Sequence, residues 1–372
     1  VTSLAAAATC ASTTPRLDGE GVLAFDGRAL GSSVHLFVDP LDTSAMRAAG
    51  RPAERVARDA WGAVCDELEA VDRALSRFRD DSELTAVNRL AGTDRVVEVS
   101  WRMRTALAAM DRARRLTAGR FDASVLRDLE RLGEHGADLA PGRARAGDVG
   151  RAGEVVNAGE FDLVALPNPL GPPSAAPHRS AAATRGVERP SRVHVPPVAL
   201  DSGGIGKGLA LRWAIARASA IDPELAMLLD AGGDVVAGGR PRTGGWRVGI
   251  EDPADPDGPP LVVVDLDRGA IATSSVGVRN WTAPDGRSVH HLLDPRTGEP
   301  ARTGLVAVSV AGPDPAWAEV WTKALFLSGR AAIGDEARAR GLAAWWVDEA
   351  GRLGMTPAAR LQSEWVAEGR LG

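Results

Sequence analysis

Apolar residues change their spacing along this chain, and that change does most to limit its fold. From Ala53 to Phe78 they recur at intervals of three and four, at Val56, Ala60, Val64, Leu68, Val71, Leu75 and Phe78. This is the period of a helix that buries one stripe. Met103, Leu107, Met110 and Ala113 mark a second helix over 101–117, with Gly119 as its C-cap. Elsewhere the period is two. Val34, Leu36 and Val38 alternate, and with V-L-A-F before them they predict a hairpin turning at D-G-R, residues 26–28. Ser82 opens a short helix, and Val96, Val97 and Val99 suggest a small strand.

Further strand-like runs lie at 225–229, 245–250, 261–266, 270–274, 305–310 and 343–347, with helices over 208–219, 316–328 and 331–341. Strands and helices do not alternate strictly. The expected class is therefore α+β, with mixed or antiparallel sheets and packed helices, not a doubly wound sheet. Residues 1–20 read as a flexible lead and 21–330 as the domain, with an irregular Pro- and Ala-rich insertion at 167–192. Residues 331–372 read as an extension that completes or flanks that domain. His135 and His178 are expected at the surface, away from chemistry.

The net charge of −5, without a basic block, argues against a nucleic-acid partner. The chain contains no Tyr, so no mechanism here uses a phenol. Cys10 and Cys65 are too few for a disulfide framework or a thiolate metal cluster, and Cys65 reads as an inert core thiol. No run approaches ~18 apolar residues, the length a membrane span needs. A cytoplasmic location is expected; an exported or lipid-anchored form is the alternative suggested by V-T-S-L-A-A-A-A-T-C at the start.

Only two of the 44 basic residues are lysines, and both fall in segments rich in candidate site residues. Lys207 lies in D-S-G-G-I-G-K-G, residues 201–208, ahead of a helix. Glycine turns and helix N-termini present N–H groups to phosphates, and an ammonium adds a formal charge. Gly208 follows the lysine where a Walker A loop needs a hydroxyl. Lys323 lies in A-W-A-E-V-W-T-K-A, four residues after Glu319. In D-A-G-G-D, Gly232 and Gly233 fit either a ligand approach or a sharp strand connection. In H-H-L-L-D-P-R-T-G-E-P, strand alternation turns one of His290 and His291 inward. Asp294, Arg296 and Thr297 there also fit a plain capped turn.

In this order, A-L-G-S near residue 30, S-E-L-T-A-V-N, T-A-G-R-F-D, L-D-S-G-G-I-G-K-G, D-A-G-G-D, A-T-S and H-H-L-L-D-P-R-T-G-E-P resemble the flavin transferase (ApbE) family, from about residue 28 to about residue 328. The resemblance implies a two-lobed flavin transferase fold. It also implies an enzyme that cleaves FAD, attaches the FMN half to a Thr or Ser hydroxyl of an acceptor flavoprotein, soluble or membrane-associated, and depends on Mg²⁺. It assigns catalytic roles to His291, Lys207, Asp201 and Lys323, and a metal site to Gly204 and Glu319. It places FAD against Gly31, Glu83, Asn88, Asp122, Gly203, Gly204, Lys207, Asp230, Gly232, Gly233, Thr273, His290, His291, Asp294, Arg296 and Thr297.

The chain departs from the family pattern in several places. The family's A-D-A-x-x-T-A becomes A-E-V-W-T-K-A, so Glu319 and Lys323 stand at the metal-ligand positions. This change resembles an actinobacterial subgroup. Arg212 replaces an aspartate, Ser275 a glycine and Leu30 a methionine. An ammonium cannot ligate a metal while protonated. FAD hydrolysis to FMN and AMP, or FAD binding without catalysis, are the alternatives that these changes raise.

Overall fold

The computed structural model describes residues 15–17, 21–39, 46, 50, 52–135, 190–242 and 244–371. Its centre is a nine-stranded sheet in which every neighbouring pair is antiparallel. The strands occur in the sheet in chain order: Arg16–Leu17, Leu23–Ala29, Ser32–Asp39, Ala226–Ala231, Asp234–Gly238, Gly269–Ser275, Leu305–Gly312, Ala343–Asp348 and Leu353–Met355. The last two belong to the 331–372 segment and extend the same sheet.

The alternation at Val34, Leu36 and Val38 buries all three against the helices Ala53–Leu75, Trp101–Leu116, Gly206–Ser219 and Pro315–Ser328. The other face of the sheet carries a second core, shared with a small sheet of Trp246–Ile250, Val262–Leu266 and Ser363–Val366. The fold is α+β, as the mixed periods imply.

Several local expectations need correction. The first hairpin does not turn at D-G-R: the strand Leu23–Ala29 runs through it, and Leu30 and Gly31 make the turn at φ 53° and 74°. A two-residue turn with both φ values positive matches the strand twist, and register along seven cross-strand pairs outweighs the local D-G signal. The first helix ends at Leu75 rather than Phe78, because Ser76 is extended and Arg77 is drawn into an ion pair with Asp201. At the end of the expected insertion, Ser191 and Arg192 already belong to a strand, Ser191–His194, paired with Val96–Val99, while residues 167–189 lie outside the described residues. His178 and Cys10 also lie outside them; His135 is exposed. Cys65 is disulfide-bonded, not a free core thiol. A count of two argues against a framework but not against one bridge. No helix among the described residues is long and apolar enough to cross a membrane.

Candidate functional site

The glycine segment becomes a turn that delivers the helix Gly206–Ser219 beneath the sheet, alongside the helix Pro315–Ser328. Close approach explains two of its glycines. A Cβ on Gly208 would lie 2.4 Å from the Ala316 Cα, and one on Gly204 would lie 2.7 Å from the Phe121 ring. The helix 315–328 starts on the Asp314 cap, which also pairs with Arg212 at 2.5 Å. Arg212 therefore helps join the two helices.

Between the helices sits a compact set of opposite charges. Glu319, about 1% exposed, accepts the Gly208 N–H at 2.8 Å and faces the Lys323 Nζ at 3.3 Å. Lys323 also donates to Ser274 Oγ at 3.3 Å. Lys207 pairs with Asp234 at 2.5 Å, and Asp234 accepts the Thr273 N–H at 2.9 Å. Burial disfavours the Lys207 ammonium, but Asp234 and Glu319 outweigh it and hold its pKa above the usual value. Burial pushes the Glu319 carboxyl up, and Lys323 works against that.

An open cleft of about 600 Å³ adjoins this set, with Gly203, Gly204, Asp201, Asp122, His291 and Lys323 on its wall. Phe121, Phe326 and Leu293 supply an apolar side, and Arg120 and Arg279 two further cations. His291 Nδ1 lies 3.2 Å from the Arg279 carbonyl oxygen. With the proton on Nδ1 it donates there, leaving Nε2 an acceptor. Burial, then the Arg279 and Lys323 charges, lower the His291 pKa to about 3, so the ring is neutral near pH 7. His290 turns instead toward the Phe326 ring, with centroids 6.3 Å apart, and burial lowers its pKa.

The remaining sequence candidates serve the scaffold or stand outside the cleft wall. Glu83 accepts the Ser100 N–H at 2.7 Å, at the start of the helix 101–116. Asn88 exchanges two 2.8 Å hydrogen bonds with the Leu200 backbone, anchoring the chain just before Asp201. Gly31 lies in the first hairpin turn, and Gly232 and Gly233 form the turn between Ala226–Ala231 and Asp234–Gly238, the sharp connection of the two readings. Asp230 accepts the Gly233 N–H at 2.9 Å, and burial raises its pKa. Asp294 binds the side chain and N–H of Arg296, and its carbonyl receives Thr297 N and Gly298 N. Of that D-P-R-T run, Pro295 alone reaches the cleft wall. Thr273 directs its hydroxyl to Ser309, 2.8 Å away.

Sequence reasoning missed Asp234, Ser274, Phe121, Arg77, Glu134 and Arg279. T-A-G-R-F-D held the signal for Phe121, and D-A-G-G-D that for Asp234.

The residues present do not fit a divalent cation at Glu319. One carboxylate oxygen holds a backbone N–H, the other faces an ammonium, and the nearby Asp234 is already paired with Lys207. Among the described residues, no group of three or more His, Cys, Asp or Glu side chains gathers with metal-binding geometry. Two carboxylates are thus balanced by two ammonium groups of the chain itself.

A family model described as the ApbE family matches residues 31–346. The FAD:protein FMN transferase of Klebsiella pneumoniae (strain 342) is 26% identical over 351 residues, covering 91% of this chain and 88% of that protein. That of Treponema pallidum (strain Nichols) is 30% identical over 293 residues, covering 75% and 74%. Among solved structures, the ApbE protein of Thermotoga maritima MSB8 shares the fold at a TM-score of 0.70 and 24% identity, covering 92% of this chain and all (100%) of that one. The apo form of the Pseudomonas stutzeri flavinyl transferase ApbE shares it at 0.66 and 23%, covering 93% and 98%.

Proposed function

This chain belongs to the ApbE family, and on that premise we propose that it transfers the FMN moiety of FAD to a threonine or serine hydroxyl of an acceptor flavoprotein, releasing AMP. The observation that carries this reading is a cleft in which the 203–204 glycine turn, His291 and Lys323 meet beside an apolar wall. An isoalloxazine ring suits the apolar side. A diphosphate suits the turn and the cations.

In the step proposed, the acceptor oxygen bonds to the FMN phosphorus as the bond to the AMP oxygen breaks. AMP departs with its phosphate negative charge, next to cationic side chains. The hydroxyl proton passes to His291 Nε2. An anionic phosphate beside the ring favours its protonated form, raising its basicity when substrate is bound. Asp201, paired with Arg77, supports the turn.

We further propose that Lys323 supplies at Glu319 the positive charge for which the family pattern uses a metal, making this an altered site of the kind the sequence suggests. The ammonium 3.3 Å from Glu319 supports this. Purified protein mixed with FAD and a candidate flavoprotein domain, with and without Mg²⁺, is assayed by in-gel flavin fluorescence and intact mass. A covalent FMN adduct with stoichiometric AMP is expected. AMP release without adduct means hydrolysis instead, and retained FAD with neither product means binding alone.

A further inference from the structure

A buried line of alternating charge runs from the glycine turn to the cleft wall. The Gly203 N–H donates to Asp201 Oδ2 at 3.1 Å, and Asp201 Oδ1 pairs with Arg77 Nε at 2.8 Å. Arg77, about 3% exposed, pairs onward with Glu134 at 2.9 Å, and Glu134 holds Arg279 with its other oxygen. At the cleft the line ends in a guanidinium. No motif in the sequence singled out Arg77, Glu134 or Arg279.

We propose that Arg279 binds the diphosphate of the dinucleotide jointly with Lys323, and that Glu134 and Arg77 position it by tying its guanidinium to the glycine turn. The inference rests on the FAD reading above and adds to it a residue that separates a diphosphate from a monophosphate or an uncharged flavin. Two observations and one general property of guanidinium carry it. Arg279 and Lys323 line the same cleft, and the charges of both reach the His291 ring within it. The charge of Arg279 is also felt at Lys207, so three cations bear on one region. A guanidinium holding a carboxylate through one edge keeps further N–H donors for a phosphate, and it needs such an anchor to hold its direction.

The alternating line explains why the anchor is buried. Arg77 is enclosed and neutralised from both sides by Asp201 and Glu134, which a lone buried charge would require. Glu134 is consequently shared between two guanidinium groups, and the outer one remains 37% exposed at its side chain. The 203–204 turn is linked to Arg279 through one hydrogen bond and three ion pairs. The line thus ties the Arg279 guanidinium to the 203–204 turn, whose Gly203 N–H is held by Asp201.

Three ligands separate binding from architecture: FAD, riboflavin and inorganic pyrophosphate, titrated into the wild type, Arg279→Met, Arg279→Lys and Glu134→Gln. Arg279→Met is expected to weaken FAD by about 10- to 100-fold, the span of one charge-assisted hydrogen bond, while riboflavin changes by less than about twofold. Glu134→Gln weakens FAD in the same direction by less, and Arg279→Lys recovers part of the loss. Parallel losses for FAD and riboflavin, or an unchanged FAD affinity, overturn the proposal. A wild-type protein that binds pyrophosphate through Arg279 but not FAD overturns the flavin reading and leaves the anion site standing. One that binds neither overturns both.

Discussion

Replacing Lys323 by Met removes the charge that faces Glu319, and the loss should depend on pH. At 3.3 Å, with an effective dielectric of ~20, the Coulomb attraction is about 5 kcal/mol. Breaking a buried pair from one side costs about 3–5 kcal/mol, because the remaining charge stays buried. Glu319 escapes part of this by taking a proton. Burial already raises its pKa above the ordinary 4.5, and Lys323 is the first opposing influence, so the variant raises it further. A carboxyl whose folded pKa is raised favours folding below its unfolded value and loses that advantage as pH climbs through the folded one.

The penalty of Lys323→Met is therefore smaller at pH 5 than at pH 8, because a carboxyl whose pKa is raised takes a proton more readily at the lower pH. With about 2.1 cal/mol/K per residue of unfolding entropy, 3–5 kcal/mol lowers Tm by roughly 4–6 °C. Scanning fluorimetry at both pH values, on the single variant and on Lys323→Met with Glu319→Gln, checks this. The amide still accepts the Gly208 N–H, so the double variant should regain most of the loss at pH 8. Equal loss at the two pH values, or no recovery, would refute the claim that this ammonium neutralises Glu319.

Lys323→Thr should make FMN transfer newly responsive to Mg²⁺, and an adduct yield identical with and without the ion would remove Lys323 from the role of metal replacement. For His291 the pKa falls from 6.5 to about 3 on folding, so the unfolded chain binds the extra proton and stability drops as pH falls through that window. His291→Asn should flatten that acid limb in urea titrations, with the smaller His290 contribution left behind. Gly208→Ala places a methyl 2.4 Å from the Ala316 Cα and should destabilise by about 1–3 kcal/mol or more by separating two helices, read as a shift of the urea midpoint.

How much of this was legible depended on whether a signal was local. Helix stripes and strand alternation are short-range, and the elements they predicted are present within a few residues of their expected ends. Ser82 accepting the Thr85 N–H at 3.0 Å is an N-cap that four residues reveal. By contrast, Asp201 meets Arg77, and Arg77 meets Glu134, across long stretches of chain. With 42 arginines among 44 basic residues, composition gives no reason to prefer any one of them. The two lysines stood out because they were rare, and the fold sets Lys207 against Asp234 and Lys323 against Glu319.

The aspartates of D-A-G-G-D show where a local signal held more than was read from it. The resemblance places Asp230 against FAD, and Lys207 pairs with Asp234. The Gly232–Gly233 turn sets Ala231 opposite Asp234 and Asp230 opposite Val235. Residues directly opposite share a face and neighbours along a strand do not, so the two aspartates lie on opposite sides of the sheet. Asp230 also lies opposite His35, on the side where Val235 and Phe37 join the second core. Ala231 and Val236 belong to the helix-side core, which puts Asp234 on the face that receives the helix of Lys207. Reading the two glycines as a two-residue turn decides between the aspartates before any contact is known, because the pleat then allows only one of them to meet that helix.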